Sequence, residues 1–281
     1  MRAKRIWAGI GLVATLVTIT VVVCNGVLAG PKVHVGRVCQ EPNRPSLEEV
    51  DHSAYDALLK KYVDERGMVA YGAWKGSAAD SLALDEYLIR LGCVDLSKSA
   101  ATKAKLAFWI NAYNALTLKG IMREYPTSSI RNHTSKFAGY NIWKDLLLIV
   151  DGRSFSLEGI EHSLLRKMDE PRIHFAIVCA SKGCPPLLNQ AYTAARLDDQ
   201  LGANARKFFA QPTNFRADAG RRVIAVSQLL QWYGGDFAPT SEGQIRVLRP
   251  YFPNADELAW IDQGGVSVRH LDYDWGLNDQ R

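Results

Sequence analysis

At 281 residues, with 47% hydrophobic and 22% charged side chains, the chain has the composition of a folded protein and lacks the polar bias of a disordered one. The formal charge of +5 is spread along the sequence, and no segment concentrates Lys and Arg among aromatics, so nothing points to nucleic acid. The three arginines of residues 216–222 share their stretch with Asp218 and read as a solvated turn.

Arg2, Lys4 and Arg5 precede an uncharged apolar run over residues 6–28 that closes on Val27-Leu28-Ala29-Gly30. This predicts an export signal over residues 1–30. The run is long enough to cross a hydrocarbon layer of about 30 Å, which leaves open a cleaved signal peptide and an uncleaved anchor. In either case the basic residues ahead of it place the body outside the cytoplasm, periplasmic or membrane-anchored, and membrane contact is expected through this segment alone. Cys24 follows the bulky Val23 and reads as a membrane-segment cysteine. Residues 31–50, rich in Gly and Pro at first, predict a loosely packed linker, and residues 51–281 a single domain. In an oxidising compartment, two disulfides are the default for the remaining Cys39, Cys93, Cys179 and Cys184. Three pairings are open; Cys39 with Cys93 is favoured because both lie in the flanking N-terminal part.

Within the domain, Tyr55, Leu58, Leu59, Tyr62 and Val63 recur at helical spacing over residues 53–64, with Gly67 as the closing cap. A second helix is predicted over residues 80–91, with Leu82, Leu84, Tyr87, Leu88 and Leu91 inward and Gly92 as its end. Residues 102–125 are apolar on nearly every side, which marks a central buried helix ended by Pro126. Asn111 and Asn114, three apart on one face of it, must find partners there, either in a neighbouring loop or in a ligand. Asp151-Gly152 between short apolar runs predicts a hairpin, followed by a short helix over residues 156–166 capped by Ser156. Residues 173–179 alternate as a strand would, and Pro185-Pro186 suit a helix start running towards residue 209. A later strand is expected at 222–226, with helices near 229–233 and 244–251. The expected fold is α+β: a helical N-terminal part around a small, mainly antiparallel sheet.

Three segments, Phe108-Trp109-Ile110-Asn111-Ala112-Tyr113-Asn114-Ala115-Leu116-Thr117, Ile160-Glu161-His162, and the stretch from His174 through Cys179-Ala180-Ser181-Lys182-Gly183-Cys184-Pro185-Pro186-Leu187, resemble the family named domain of unknown function 547 in order and spacing. The resemblance extends from about Tyr55 to the closing Tyr273-Asp274-Trp275-Gly276-Leu277-Asn278. It implies a likeness to thiol hydrolases of the papain and transglutaminase type, in permuted order.

The residues themselves fit thiol chemistry. A nucleophilic thiol needs a lowered pKa, which a helix N-terminus and an imidazole both supply. Cys184, read as a loop-to-helix junction, and Cys179 are the candidate nucleophiles, with His174 or His162 as base. Glu161 is expected to orient the imidazole, or else to pair with Arg166. Asn111 or Asn114 is expected to polarise a carbonyl. Tyr113 is placed with Trp109, Trp143, Trp232 and Trp275 among aromatics that either line a cleft or pack the core. The expected activity is hydrolysis or transfer at an amide or thioester of a small peptide-like substrate, without cofactor or metal. His162, His174, Cys179 and Cys184 match no standard zinc spacing. The rival is a non-catalytic module that holds a ligand, peptide-like or thiol-containing, or a protein around a Cys179–Cys184 disulfide.

Overall fold

The computed structural model describes residues 31–135 and 139–280. The export signal read from residues 1–30, Cys24 included, lies outside the described residues. Among those described, no helix is long and apolar enough to cross a membrane.

The fold is α+β, with nine α-helices and two three-stranded sheets among the described residues. Strand β1 (Val33–Val35) comes from the segment expected to pack loosely; its backbone pairs with a later strand and Val35 is buried. Cys39 and Cys93 reach disulfide distance, Cα to Cα 5.0 Å, as favoured from their positions. Helix α1 (Ser53–Tyr62) buries Tyr55, Leu58, Leu59 and Tyr62. It ends before Gly67, which is not its cap but sits in the next turn at φ +78°, against the backbone of Pro186 and Leu187. After α2 (Tyr71–Gly76), α3 (Ala78–Gly92) starts on Ser77, whose side chain accepts from the Asp80 N–H. Its inward face is Leu84, Tyr87, Leu88 and Leu91, while Leu82, expected inward, is exposed. Helix α4 (Thr102–Glu124) is buried along almost its whole length, as its unbroken apolar character predicts.

Short α5 (Ile142–Asp145) leads into β2 (Leu146–Val150) and β3 (Arg153–Ser156). The hairpin turns on Asp151 and Gly152, both left-handed at φ 51° and 69°, the geometry an Asp-Gly pair adopts readily. Its sheet runs β1-β2-β3, with Val33 beside Leu146 in the parallel pair and Leu148 opposite Phe155 in the antiparallel one. The helix expected over 156–166 forms as a run of turns: α6 (Leu157–Gly159), whose Gly159 N–H is capped by Ser156 Oγ at 3.0 Å, a π-helical segment at Ile160–Leu164, and a 3-10 turn.

Two expectations around residue 180 are corrected. Residues 173–179 do not form a strand: Pro171–Phe175 is a 3-10 helix started by the Glu170 carboxylate on the Arg172 N–H, and the chain beyond it is irregular. The alternation carries no sidedness, because residues 173–178 are buried on both parities. Nor does Pro185-Pro186 open a helix; α7 (Leu197–Phe209) begins eleven residues after Pro186, behind a 3-10 turn at Ala194–Arg196. Cys184 therefore lies in a loop and does not lead into a helix of its own.

The second sheet, expected only as one strand, is β4 (Phe215–Asp218), β5 (Val223–Ser227) and β6 (Ser267–Leu271). It pairs β4 to β5 antiparallel and β5 to β6 parallel, so both sheets are mixed rather than mainly antiparallel. Helices α8 (Leu229–Tyr233) and α9 (Ser241–Leu248) pack on it. Two apolar cores result: one around α1 to α4 and the first sheet, the other around the end of α7 and the second sheet. Ile173 and Ala176 belong to the first core and Phe175 to the second, so the 3-10 helix crosses the seam between them.

Candidate functional site

At that seam lies a pocket of about 340 Å³. It brings Cys179, Cys184, His174, His162, Glu161 and Tyr113 to one wall system.

The two sulfurs are the centre of it. Both cysteines are free thiols, Cys179 half-buried and Cys184 buried, with Sγ to Sγ 2.7 Å, against about 2.05 Å for a formed disulfide. Between them Ala180 takes φ +61°, a strained value for a residue with a Cβ, which curls the chain so that the Cys179 N–H points at Cys184 Sγ at 3.1 Å. Tyr273 OH donates to Cys184 Sγ at 3.1 Å and lies 3.3 Å from Cys179 Sγ. Ser181 Oγ sits 2.8 Å from that hydroxyl and 3.1 Å from Cys179 Sγ. Burial raises the Cys184 pKa, but the hydrogen bonds from Cys179, Ser181, Tyr273 and the Cys179 N–H outweigh it and bring the thiol down to about 6. The hydrogen bond to Cys184, with burial, pushes Cys179 well above the usual thiol range. The two thiols titrate as a pair, and the hydrogen bonds favour loss of the first proton from Cys184.

This loop is pinned from two sides. The closing segment supplies Asp274 O to the Gly183 N–H and Gly276 O to the Lys182 N–H, both at 2.8 Å, and takes Ala180 O on the Asn278 N–H at 3.1 Å. From α4, Asn114 donates to Ala176 O and accepts from the Val178 N–H, both at 2.9 Å. Asn111 does the same for Tyr192, at 2.8 and 2.9 Å. Neither amide lines the pocket, so these bonds match the loop-holding alternative and not contact with a substrate carbonyl.

His174 is buried and stacks on Tyr233 with ring centroids 4.3 Å apart. Its Nε2 meets Asp236 Oδ2 at 2.8 Å, and Arg166 closes on both oxygens of Asp236 at 2.7 Å. The Arg166 hydrogen bond, ahead of opposing burial, holds the Asp236 carboxyl down at about 2, so Asp236 can only accept and the His174 proton sits on Nε2. Burial lowers the His174 pKa more than Asp236 raises it, which keeps the ring neutral at pH 7. The carboxylate that orients His174 is thus Asp236, not Glu161. Glu161, buried on the π-helical segment, instead accepts from Tyr113 OH at 3.3 Å. Exposed His162 accepts from Arg166 on Nδ1 at 3.0 Å. Among the described residues neither imidazole hydrogen-bonds a sulfur, and the four conceivable zinc ligands do not gather into one set.

Sequence reasoning missed Asp236, Arg166 as its clamp, Ser181 and Tyr273. Asp236 lies 62 residues from His174 with no motif to mark it. Tyr273 had a signal, since it opens the closing segment of the resemblance. Of the aromatics, Trp143, Trp232, Trp275 and Tyr113 line the pocket, whereas Trp109 packs in the core against Phe108 and Phe155.

Residues 97–209 match the family model described as "Protein of unknown function, DUF547". The match contains all three motif segments, and with them α4, both cysteines and His174; Asp236 and Tyr273 fall beyond it. No curated protein and no solved structure matches the chain.

Proposed function

We propose that this chain, which carries a DUF547 domain at residues 97–209, is a thiol-dependent hydrolase or transferase with Cys184 as its nucleophile. The observation that carries this reading is the Cys184 sulfur, which receives hydrogen bonds from Tyr273 OH and the Cys179 N–H beside a pocket with an oriented imidazole. The likeness to papain- and transglutaminase-type thiol hydrolases, and a location outside the cytoplasm, belong to the same proposal. The Cys39–Cys93 pair supports the latter, since such bonds persist in oxidising compartments.

Of the two bonds considered, we favour the thioester, because its leaving group needs no proton. The Cys184 thiolate adds to the carbonyl carbon, and the resulting oxyanion collapses by breaking the bond to the departing sulfur. The electron pair leaves on a thiolate, which needs no proton. An amide nitrogen would need one, and neutral His174 has none to spare. In the second step His174 Nδ1, freed for the task because Nε2 is held by Asp236, takes the proton of a water or acceptor as it attacks the acyl-Cys184. The acid or transfer product leaves, the Cys184 thiolate returns, and His174 gives up its proton to the departed thiolate or to solvent.

The test is turnover of small acyl thioesters by the reduced protein, with the intact mass of the enzyme followed through the reaction. Cys184→Ser should lose at least about 10³-fold in rate and Cys184 should carry a transient acyl adduct. Unchanged rates in both Cys184→Ser and Cys179→Ser overturn the reading. The Sγ–Sγ separation of 2.7 Å favours a second reading, in which the pair is oxidised and the pocket belongs to a non-catalytic module that binds its ligand around a stapled loop. Peptide mass mapping of protein taken from the export compartment separates them. A stable Cys179–Cys184 bond that resists mild reductant favours the module.

A further inference from the structure

The pocket holds one carboxyl group with no cation of its own protein in ion-pair contact among the described residues. Glu161 is only 8% exposed, yet among the described residues no Lys, Arg or His nitrogen lies within 4.0 Å of its carboxylate. Its partners are phenols, Tyr113 OH at 3.3 Å and the Tyr233 hydroxyl, which occupy two of about four acceptor positions and carry no positive charge. Buried carboxylates are ordinarily paired with a cation. The cations nearby are spoken for: Arg166 is closed on Asp236, and Lys144, on the pocket wall, lies 3.5 Å from Glu158. The ionisable side chains of the wall besides the thiols are the carboxyls Glu158 and Glu161, one lysine, Lys144, and the imidazoles His162 and His174.

The remaining wall is aromatic. Trp232, Tyr273 and Trp275 form a mutual cluster with ring centroids 4.6 to 5.6 Å apart, and Trp143 meets Trp275 at 6.5 Å. Trp232 is 43% exposed, unusual for so large a ring, and the cluster ends on the Tyr273 hydroxyl that touches both sulfurs. Two of the pocket's rings already hold guanidinium groups that are not part of its lining, Arg131 over Trp275 at 5.0 Å and Arg166 over Tyr233 at 5.6 Å. Ring faces of this kind attract cations, and a cage of them beside a carboxylate suits an ammonium ion better than it suits an anion or a neutral alkyl group.

We infer that the acyl group accepted by this pocket carries an ammonium ion, seated between Glu161 and the aromatic wall while its carbonyl faces Cys184. The inference rests on reading the dithiol pocket as the substrate site, and it names the substrate class: an aminoacyl or similar ammonium-bearing thioester. The cation then supplies Glu161 with its missing counter-charge.

The experiment compares two probes of nearly equal shape, choline and 3,3-dimethylbutan-1-ol, by calorimetric titration of the reduced wild-type protein. Choline should bind about tenfold tighter than its neutral isostere, and Glu161→Gln should bring the two within about twofold. Cys184→Ser should keep the preference. Equal binding of the two probes to wild type, which needs no variant to fold, overturns the inference, as does a full preference in Glu161→Gln. Cys184-dependent thioester turnover without a choline preference removes the inference alone. A choline preference without such turnover removes the reaction and leaves the cation site standing.

Discussion

Helix α4 and the segment over residues 176–193 are buried to a similar depth, side by side, yet they meet the same requirement in opposite ways. In α4 the backbone N–H and C=O groups bond within the helix, so its side chains are free to be apolar. The segment over 176–193 has no such ladder and lies buried over most of its length. Beyond bonds such as Cys184 N–H to Ser181 O, the buried polar groups of its backbone need partners from elsewhere. Asn111 and Asn114 of α4 and Asn204 of α7 supply several of them, Asn204 donating to both Phe175 O and Pro186 O. The asparagines in an otherwise apolar helix are therefore explained by the irregularity of its neighbour. An irregular chain can present two sulfurs 2.7 Å apart across a strained Ala180, whereas a straight strand would not.

The largest test of this contrast is Asn114→Ala. It leaves the Val178 N–H and the Ala176 C=O without their partner, at about 1 to 3 kcal/mol each, for a loss of about 4 kcal/mol in urea denaturation. Leu116→Ala, two residues on in the same helix and also buried, should cost a similar amount through its cavity. The two differ at the thiols. Asn114→Ala should speed alkylation of Cys179 under native conditions by loosening its loop, and Leu116→Ala should not beyond its global effect. Equal alkylation in the two variants would show that the segment is held by packing rather than by its asparagines.

Next in size is Gly183→Ala. A Cβ there would stand 2.9 Å from the Asp274 backbone N and 3.0 Å from the Tyr273 ring, so the closing segment must move. A cost of about 2 kcal/mol is expected in thermal denaturation, with Tyr273 displaced from the sulfurs. Tyr273→Phe isolates that last effect. Removing one donor from the Cys184 sulfur should raise its pKa from about 6 to about 7, or about 1.4 kcal/mol, read as an upward shift of the pH midpoint of alkylation. Because the donor favours the thiolate, the shift must be upward; a downward or absent shift would mean that Tyr273 does not donate to Cys184.

The same contrast explains which parts were legible in the sequence. α1, α3, α4 and the hairpin follow from local rules, since helical spacing and Asp-Gly each name one conformation. The pocket's members Cys179, Cys184, His174, His162, Glu161 and Tyr113 were legible by residue type. Their pairing was not. The alternation over residues 173–179 imitates a strand because burial on all sides erases the distinction between the two faces. Asp236 reaches His174 only through the meeting of α8's end with the 3-10 helix, a contact between the two cores. Spacing along the chain carries no trace of such a contact.

The smallest effect separates strain from crowding. Gly152 in the hairpin turn takes φ +69° with no atom within 4 Å of where its Cβ would be, the reverse of Gly183, which is crowded and has no such φ. Gly152→Ala should therefore cost about 1 kcal/mol through backbone conformation alone. Gly152→Asn should recover part of that, because Asn tolerates the left-handed region. At position 183 the order must invert, with Asn worse than Ala, because there every added atom meets the closing segment. Alkylation of Cys179 should be untouched by either hairpin variant, as the described hairpin strands give the segment over 176–193 no hydrogen bond. Should Gly152→Ala expose the thiols as Gly183→Ala does, the loop's geometry would depend on the whole first core, and the division into a self-sufficient helix and a dependent segment would fail.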